Sequence, residues 1–190
     1  MKLLRQSLML TLLLIVLCSV IYPLIILGIG RLAPGAGEGQ TLTRNGRVVG
    51  YARIGQRFQR PEYFNSRPSA VDYNAAGSGG SNKAPSNPEY QALVKARLDT
   101  FLLHNPEVKA SEVPAELLTA SGSGLDPDLS PQGALVQVAR IARRRGVDAS
   151  RLRELVRQQT EGPLLGCLGP ARVNVLQLNL ALDELAPRPH

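Results

Sequence analysis

Leu8–Ile29 reads LMLTLLLIVLCSVIYPLIILGI, and its reading decides the fold. No charged residue occurs from Gln6 to Gly30, while Lys2, Arg5 and Arg31 close the two ends. As a helix rising ~1.5 Å per residue, the stretch is ~33 Å long, enough to cross a ~30 Å hydrocarbon core. A secretory signal offers the rival reading, but its apolar region would be ~7–15 residues long and followed by a small-residue cleavage site. Here the run is longer, and Pro34 separates the nearest small residues, Ala33 and Gly35. The expectation is a single-pass membrane anchor over residues 1–30. The short basic end at Lys2 and Arg5 favours a cytoplasmic N-terminus. Everything after the anchor is then expected outside the cytoplasm.

Outward from the anchor, residues 31–39 (RLAPGAGEG) read as a linker, and residues 40–190 as one compact extracytoplasmic α+β domain with a long irregular Gly/Pro/Ser-rich loop. Trp is absent and aromatics make up 4% of the chain, so its core must be built from Leu, Val, Ile and Ala. Cys18 falls in the anchor, far from Cys167, which excludes a disulfide framework. Only His104 and His190 are present, too few for a His-based zinc site. Without Lys2 and Arg5, 20 basic residues remain against 15 acidic ones. Nucleic acid is not the expected partner, because no stacking aromatic series and no reader motif accompany that charge. A solvated basic surface near anionic headgroups suits it better.

Local signals place the elements. Asn45-Gly46 between Gln40–Arg44 and Arg47–Ala52 predicts a hairpin with a type I′ turn. Ser86 or Asn87, then Pro88 and Glu89, predict a helix start, with Val94, Leu98, Phe101 and Leu102 on one face and Asn105-Pro106 as the stop. His104 reads as a surface residue facing the end of that helix. Leu117-Leu118 suggests a short strand. Ser130-Pro131 predicts one helix to Arg145, with Leu135, Val138, Ile141 and Ala142 on its apolar face and Gly146 as its end. Asp148 caps the next, burying Leu152, Leu155 and Val156. Residues 160–172 read as a Gly/Pro turn region. Val173–Leu185 is ambiguous between strand and helix, and helix is preferred, capped by Asn174 and stopped by Pro187.

Between Gly55 and Asn87 neither period dominates, yet Arg57, Phe58, Arg60, Tyr63, Phe64 and Arg67 crowd its first half. Disordered segments are poor in aromatics. The stretch therefore reads as an ordered contact surface, with Arg57, Phe58, Tyr63, Phe64 and Arg67 as partner-contact candidates. Ser7, Thr11, Cys18 and Tyr22 lie close to one face of the anchor and are further candidates for helix–helix contact. Pro23 removes a backbone bond to Ser19 and predicts a kink.

No catalytic set converges. Gly122-Ser123-Gly124 lacks the spacing of a nucleophile elbow, and no histidine is placed to serve Ser121 or Ser123 as a base. Asp72, Asp126 and Asp128 are scattered carboxylates of turn type, not a metal site. Gly77–Asn82 (GSGGSN) resembles a phosphate-cradling loop in composition, with Ser78, Gly79, Gly80 and Ser81 as candidate nucleotide contacts, but no Gly-Lys-Ser/Thr follows. The residues alone describe an anchored accessory or binding protein rather than an enzyme.

In chain order, the anchor, GQRF-x-x-PEYFNSRPSA, YN-x-x-x-SGGSN, VPAELLTASGSGLDPDLSP, QVARIA and PARVNVLQLNLALD together resemble the C subunits of the Kdp high-affinity potassium-transporting ATPases. The resemblance implies a bacterial inner-membrane complex with a channel-like potassium-binding subunit and a P-type ATPase subunit as partners. It implies a role in assembly and as a catalytic chaperone that raises the ATP affinity of the ATPase subunit. No cofactor of its own is implied, and ATP would be reached through the complex. The alternative is a nucleotide-binding regulatory subunit that contacts ATP through the GSGGSN loop.

Overall fold

A continuous helical stretch over Lys2–Gly30 comes first in the chain, with helical backbone pairing within the segment and no charged side chain after Arg5. In the computed structural model, which describes residues 1–33 and 35–186, it is built from α1 (Lys2–Val16), a π-helical segment (Leu17–Ile21) and α2 (Tyr22–Gly30). None of its residues is buried within the chain. The π segment sits where the sequence predicts a kink. Pro23 cannot donate to Ser19, and the preceding turn widens so that the Tyr22 N–H bonds the Leu17 carbonyl, five residues back. The chain falls into two units, Met1–Thr41 and Leu42–His190. Pro34, the expected helix stop Pro187 and His190 lie outside the described residues.

The first strands form the hairpin β1 (Thr41–Arg44) and β2 (Arg47–Tyr51), turned at Asn45 and Gly46, whose φ values of 51° and 74° fit a type I′ turn. Residues 55–87 then contain only turns and bends. α3 (Pro88–His104) starts where the Asn87 side chain accepts from the Tyr90 N–H, and Val94, Leu98, Phe101 and Leu102 are its half-buried face. Leu117 closes a 3₁₀ turn (Ala115–Leu117) instead of joining a strand. The only strand of that region is β3 (Asp128–Leu129), and with β4 (Thr160–Glu161) and β5 (Arg172–Asn174) it forms a small antiparallel sheet in the order β3-β5-β4. Leu129 and Thr160 both stand opposite Val173.

Of the four helices that follow, the first and last pack on this sheet, and the middle two pack against those helices and each other. Ser130 caps α4 (Pro131–Leu135), accepting from the Gly133 N–H. The single helix expected to Arg145 is two, because α5 (Val138–Arg145) starts after a break at Val136-Gln137. The break frees the Gln137 side chain to turn onto Asn65, and it leaves Leu135 partly exposed rather than on the core face. Gly146, at φ 65°, ends α5 as a left-handed cap, and Asp148 opens α6 (Ala149–Gln158). The ambiguous last stretch resolves into both readings: β5 ends at Asn174, whose side chain then caps α7 (Val175–Leu185) by accepting from Gln177. Alternation ends where the cap begins. Phe64, Leu129, Val138, Ile141, Leu152, Val156, Val173, Leu178 and Leu182 make the core.

Candidate functional site

The PEYFN segment is held like a strand, but by side chains. Asn179, buried on α7, accepts from the Phe64 N–H at 2.9 Å and donates to the Phe64 carbonyl at 3.0 Å. Gln137 does the same for the next residue, accepting from the Asn65 N–H and donating to its carbonyl. Arg140 donates to the carbonyls of Pro61 and Tyr63 and to the side chains of Asn65, Asn105 and Gln137. An irregular buried backbone must find partners for each polar group, and here carboxamides and a guanidinium supply them. Burial and the nearby Arg144 lower the Arg140 pKa to about 10, against the pull of Glu62, so the group stays charged at neutral pH.

Beside it, Asp183 gathers Arg44 from the hairpin, Arg145 from α5 and the Tyr63 hydroxyl. The Arg145 guanidinium lies 4.6 Å from the Tyr63 ring centroid. Burial alone would raise the Asp183 pKa, but hydrogen bonds from Arg145, Arg44 and Tyr63 outweigh it and hold the carboxyl below its ordinary range.

Tyr63 and Phe64 are thereby corrected as contact candidates. They are 6% and 0% exposed, and an aromatic ring that fills the core cannot face a partner. Phe58 is half-buried against the same core, with its ring 5.9 Å from that of Tyr63. Arg57 and Arg67 stay near the surface: Arg57 pairs with Asp72, and Arg67 with Asp126 at 2.8 Å.

Three irregular stretches meet around that Arg67–Asp126 pair. The Ser121 N–H donates to the Pro68 carbonyl, the Gly79 N–H to the Ser123 carbonyl at 2.9 Å, and the Gly55 N–H to the Leu125 carbonyl at 2.7 Å. Ser69 turns its own loop by accepting from Val71 and Tyr73. The approach is close enough to need glycine at 124. Its φ is +67°, and a Cβ there would stand 2.6 Å from Val71 Cγ2 and 2.8 Å from the Gly79 oxygen. The serines and glycines of SRPSA, SGGSN and TASGSGLDP thus knit the loops together. Ser78 and Ser81 are exposed, but Ser78–Ser81 runs without a positive φ, and the Gly79 amide is already used. That is the geometry of a loop-to-loop seam, not of amides converging on an anion. Ser121 is buried, and His104 sits at the end of α3 with Nδ1 on the Thr100 carbonyl. Among the described residues no group of three metal-ligating side chains occurs.

Polar residues on apolar helix faces were the missed signal for this network: Gln137 and Arg140 in QVARIA, Asn179 and Asp183 in VNVLQLNLALD.

The family model for K⁺-transporting ATPase C chains, KdpC, matches residues 4–184. That match spans the helix, the knitted loops and the α7 network alike. The chain belongs to the KdpC family. Relatives named potassium-transporting ATPase KdpC subunit include that of Flavobacterium johnsoniae, 55% identical over 97% of this chain and all of its own length. Those of Bacteroides fragilis and Caldanaerobacter subterraneus subsp. tengcongensis are 49% and 44% identical, over 99% and 95% of this chain and 100% and 94% of their own. A KdpC chain is one subunit of a membrane-associated K⁺-transporting ATPase, and the single apolar helix fits that setting.

Proposed function

We propose that this chain is a non-catalytic accessory subunit of an ATP-driven potassium importer in a bacterial inner membrane, and that it holds the complex together. Its partners are a channel-like potassium-binding subunit and a P-type ATPase subunit. Lys2 and Arg5 keep the N-terminus in the cytoplasm, and the domain after Gly30 stands outside. The observation that carries this reading is the pairing of one wholly exposed apolar helix with a domain whose buried Asn179, Gln137 and Arg140 are engaged by its own backbone. Such a unit offers surfaces rather than a reaction.

An external domain cannot reach a cytoplasmic nucleotide site. Any gain in ATP affinity therefore passes through the helix or through partner subunits. Direct contact at Ser78–Ser81 is the weaker reading, since the Gly79 amide it would need is donated to Ser123. Purifying the pump from cells that lack this chain tests the proposal. Loss of the assembled, active complex is expected, and an intact pump at full activity would overturn it.

A further inference from the structure

One backbone carbonyl in the apolar helix has no partner within it. Along a helix a carbonyl is reached by the amide three to five residues on. For Cys18 those residues are Ile21, Tyr22 and Pro23. Proline has no N–H, and the Tyr22 N–H goes to Leu17. Ile21 lies inside the π-helical run Leu17–Ile21, whose amides bond five residues back. The widened turn before Pro23 thus takes from the Cys18 carbonyl the amide that a regular α-helix would give it. No side chain replaces that amide. Ser7 donates to the Leu4 carbonyl at 3.0 Å, but the hydroxyls of Ser19 and Tyr22 make no hydrogen bond among the described residues.

Depth makes this costly. Cys18 is the eleventh of the 22 residues in Leu8–Ile29, so its carbonyl sits ~15 Å from either end of the run, at the middle of a ~30 Å hydrocarbon core. A carbonyl freed near proline in lipid is met by a local π adjustment, a Ser or Thr hydroxyl, an ordered water or a neighbouring helix. Here the π adjustment is what frees it, and no hydroxyl turns to it. No charged residue from Gln6 to Gly30 draws water to that depth.

We infer that the Cys18 carbonyl is a hydrogen-bond acceptor for a transmembrane helix of a partner subunit, which presents a side-chain N–H or O–H at the bilayer midplane. This inference rests on the accessory-subunit reading and adds a contact point to it. Charge complementarity names the occupant. The oxygen is the negative end of a dipole, and lipid tails carry no positive end to meet it. A helix carbonyl points toward the residue four on, here Tyr22. Cys18 and Tyr22 continue the face of Ser7 and Thr11, so the oxygen opens on the side whose small and weakly polar residues suit close helix contact.

The chain holds two cysteines, so in a Cys167→Ser background cysteine labelled with ¹³C and ¹⁸O at its carbonyl marks this one group. Its amide I band is recorded in lipid nanodiscs, for the full chain alone and for the complex reconstituted with unlabelled partner subunits. A shift to lower frequency in the complex is expected, because hydrogen bonding weakens the carbonyl bond. An identical band in both would overturn the inference, whether the group were free, bonded to water or bonded to a second copy of the chain. Pro23→Ala supplies the second measurement. It restores the missing N–H and lets Tyr22 return to Cys18. The chain should be at least as stable, while association with the partners weakens roughly 3- to 30-fold, the range of one interhelical hydrogen bond in lipid. Unchanged association would overturn the contact, and the carbonyl band separates its loss from a mere change of helix shape. A pump that assembles without the chain would instead remove the accessory-subunit reading itself.

Discussion

Asn179 is the residue on which the buried backbone at Phe64 depends. One carboxamide satisfies both backbone groups of Phe64, and both residues are buried. Asn179→Ala should therefore cost about 3 kcal/mol, because two buried groups lose their partner at once. Denaturant unfolding of the full chain in detergent measures it. Asp183 gives a pH-dependent counterpart. Its pKa is held below the ordinary value near 3.9, so its contribution is fully present above that value and fades as pH falls through the folded pKa. Asp128 acts in the opposite sense: burial, only partly offset by Arg172, raises its pKa, and its contribution is greatest in acid and is lost as pH rises through the folded value. Asp183→Asn should flatten the acid side of the stability–pH profile. Asp183→Ala should cost about 3–5 kcal/mol across neutral pH, since Arg145, with a side chain 0% exposed, is left as an uncompensated buried charge.

Elements differ in how far they could be read in advance. The caps at Asn87, Ser130, Asp148 and Asn174 were legible because each is a local bargain between one side chain and an N–H two or three residues on. The α4–α5 break was not, because the partner that Gln137 meets there, Asn65, lies 72 residues away. Tyr63 and Phe64 were misplaced for a similar reason: aromatics in an irregular segment suit a surface contact or a core, and only the distant Asn179 and Arg145 decide between them. The apolar helix was legible throughout, since its length and composition suffice. One face of it, Ser7, Thr11 and Cys18, suits close helix contact in lipid. Leucine at these three positions should weaken co-purification with partner subunits, whereas alanine at Leu13 and Val20 should not. Pull-down from membranes with quantified partner bands reads this out.

At the scale of the molecule, three of the motifs that mark the family, SRPSA, SGGSN and TASGSGLDP, lie between Ser66 and Pro127 and become one seam around Gly124. Their composition was legible, but their convergence was not, because it rests on non-local backbone bonds. Gly124→Ala adds a Cβ against Val71 and the Gly79 carbonyl at a left-handed φ, and should destabilise the domain by about 2–3 kcal/mol. A matching loss of complex yield would tie the seam to assembly.

The side of the membrane that this domain occupies decides how it can act on the complex. Ala75 lies exposed in the turn before the Ser78–Ser81 loop, so Ala75→Cys places a thiol on the domain surface. Intact cells carrying this variant are treated with a membrane-impermeant maleimide, and the labelled peptide is identified. Labelling at residue 75 without permeabilisation is the expected result. Labelling only after permeabilisation would put the domain in the cytoplasm and contradict the account.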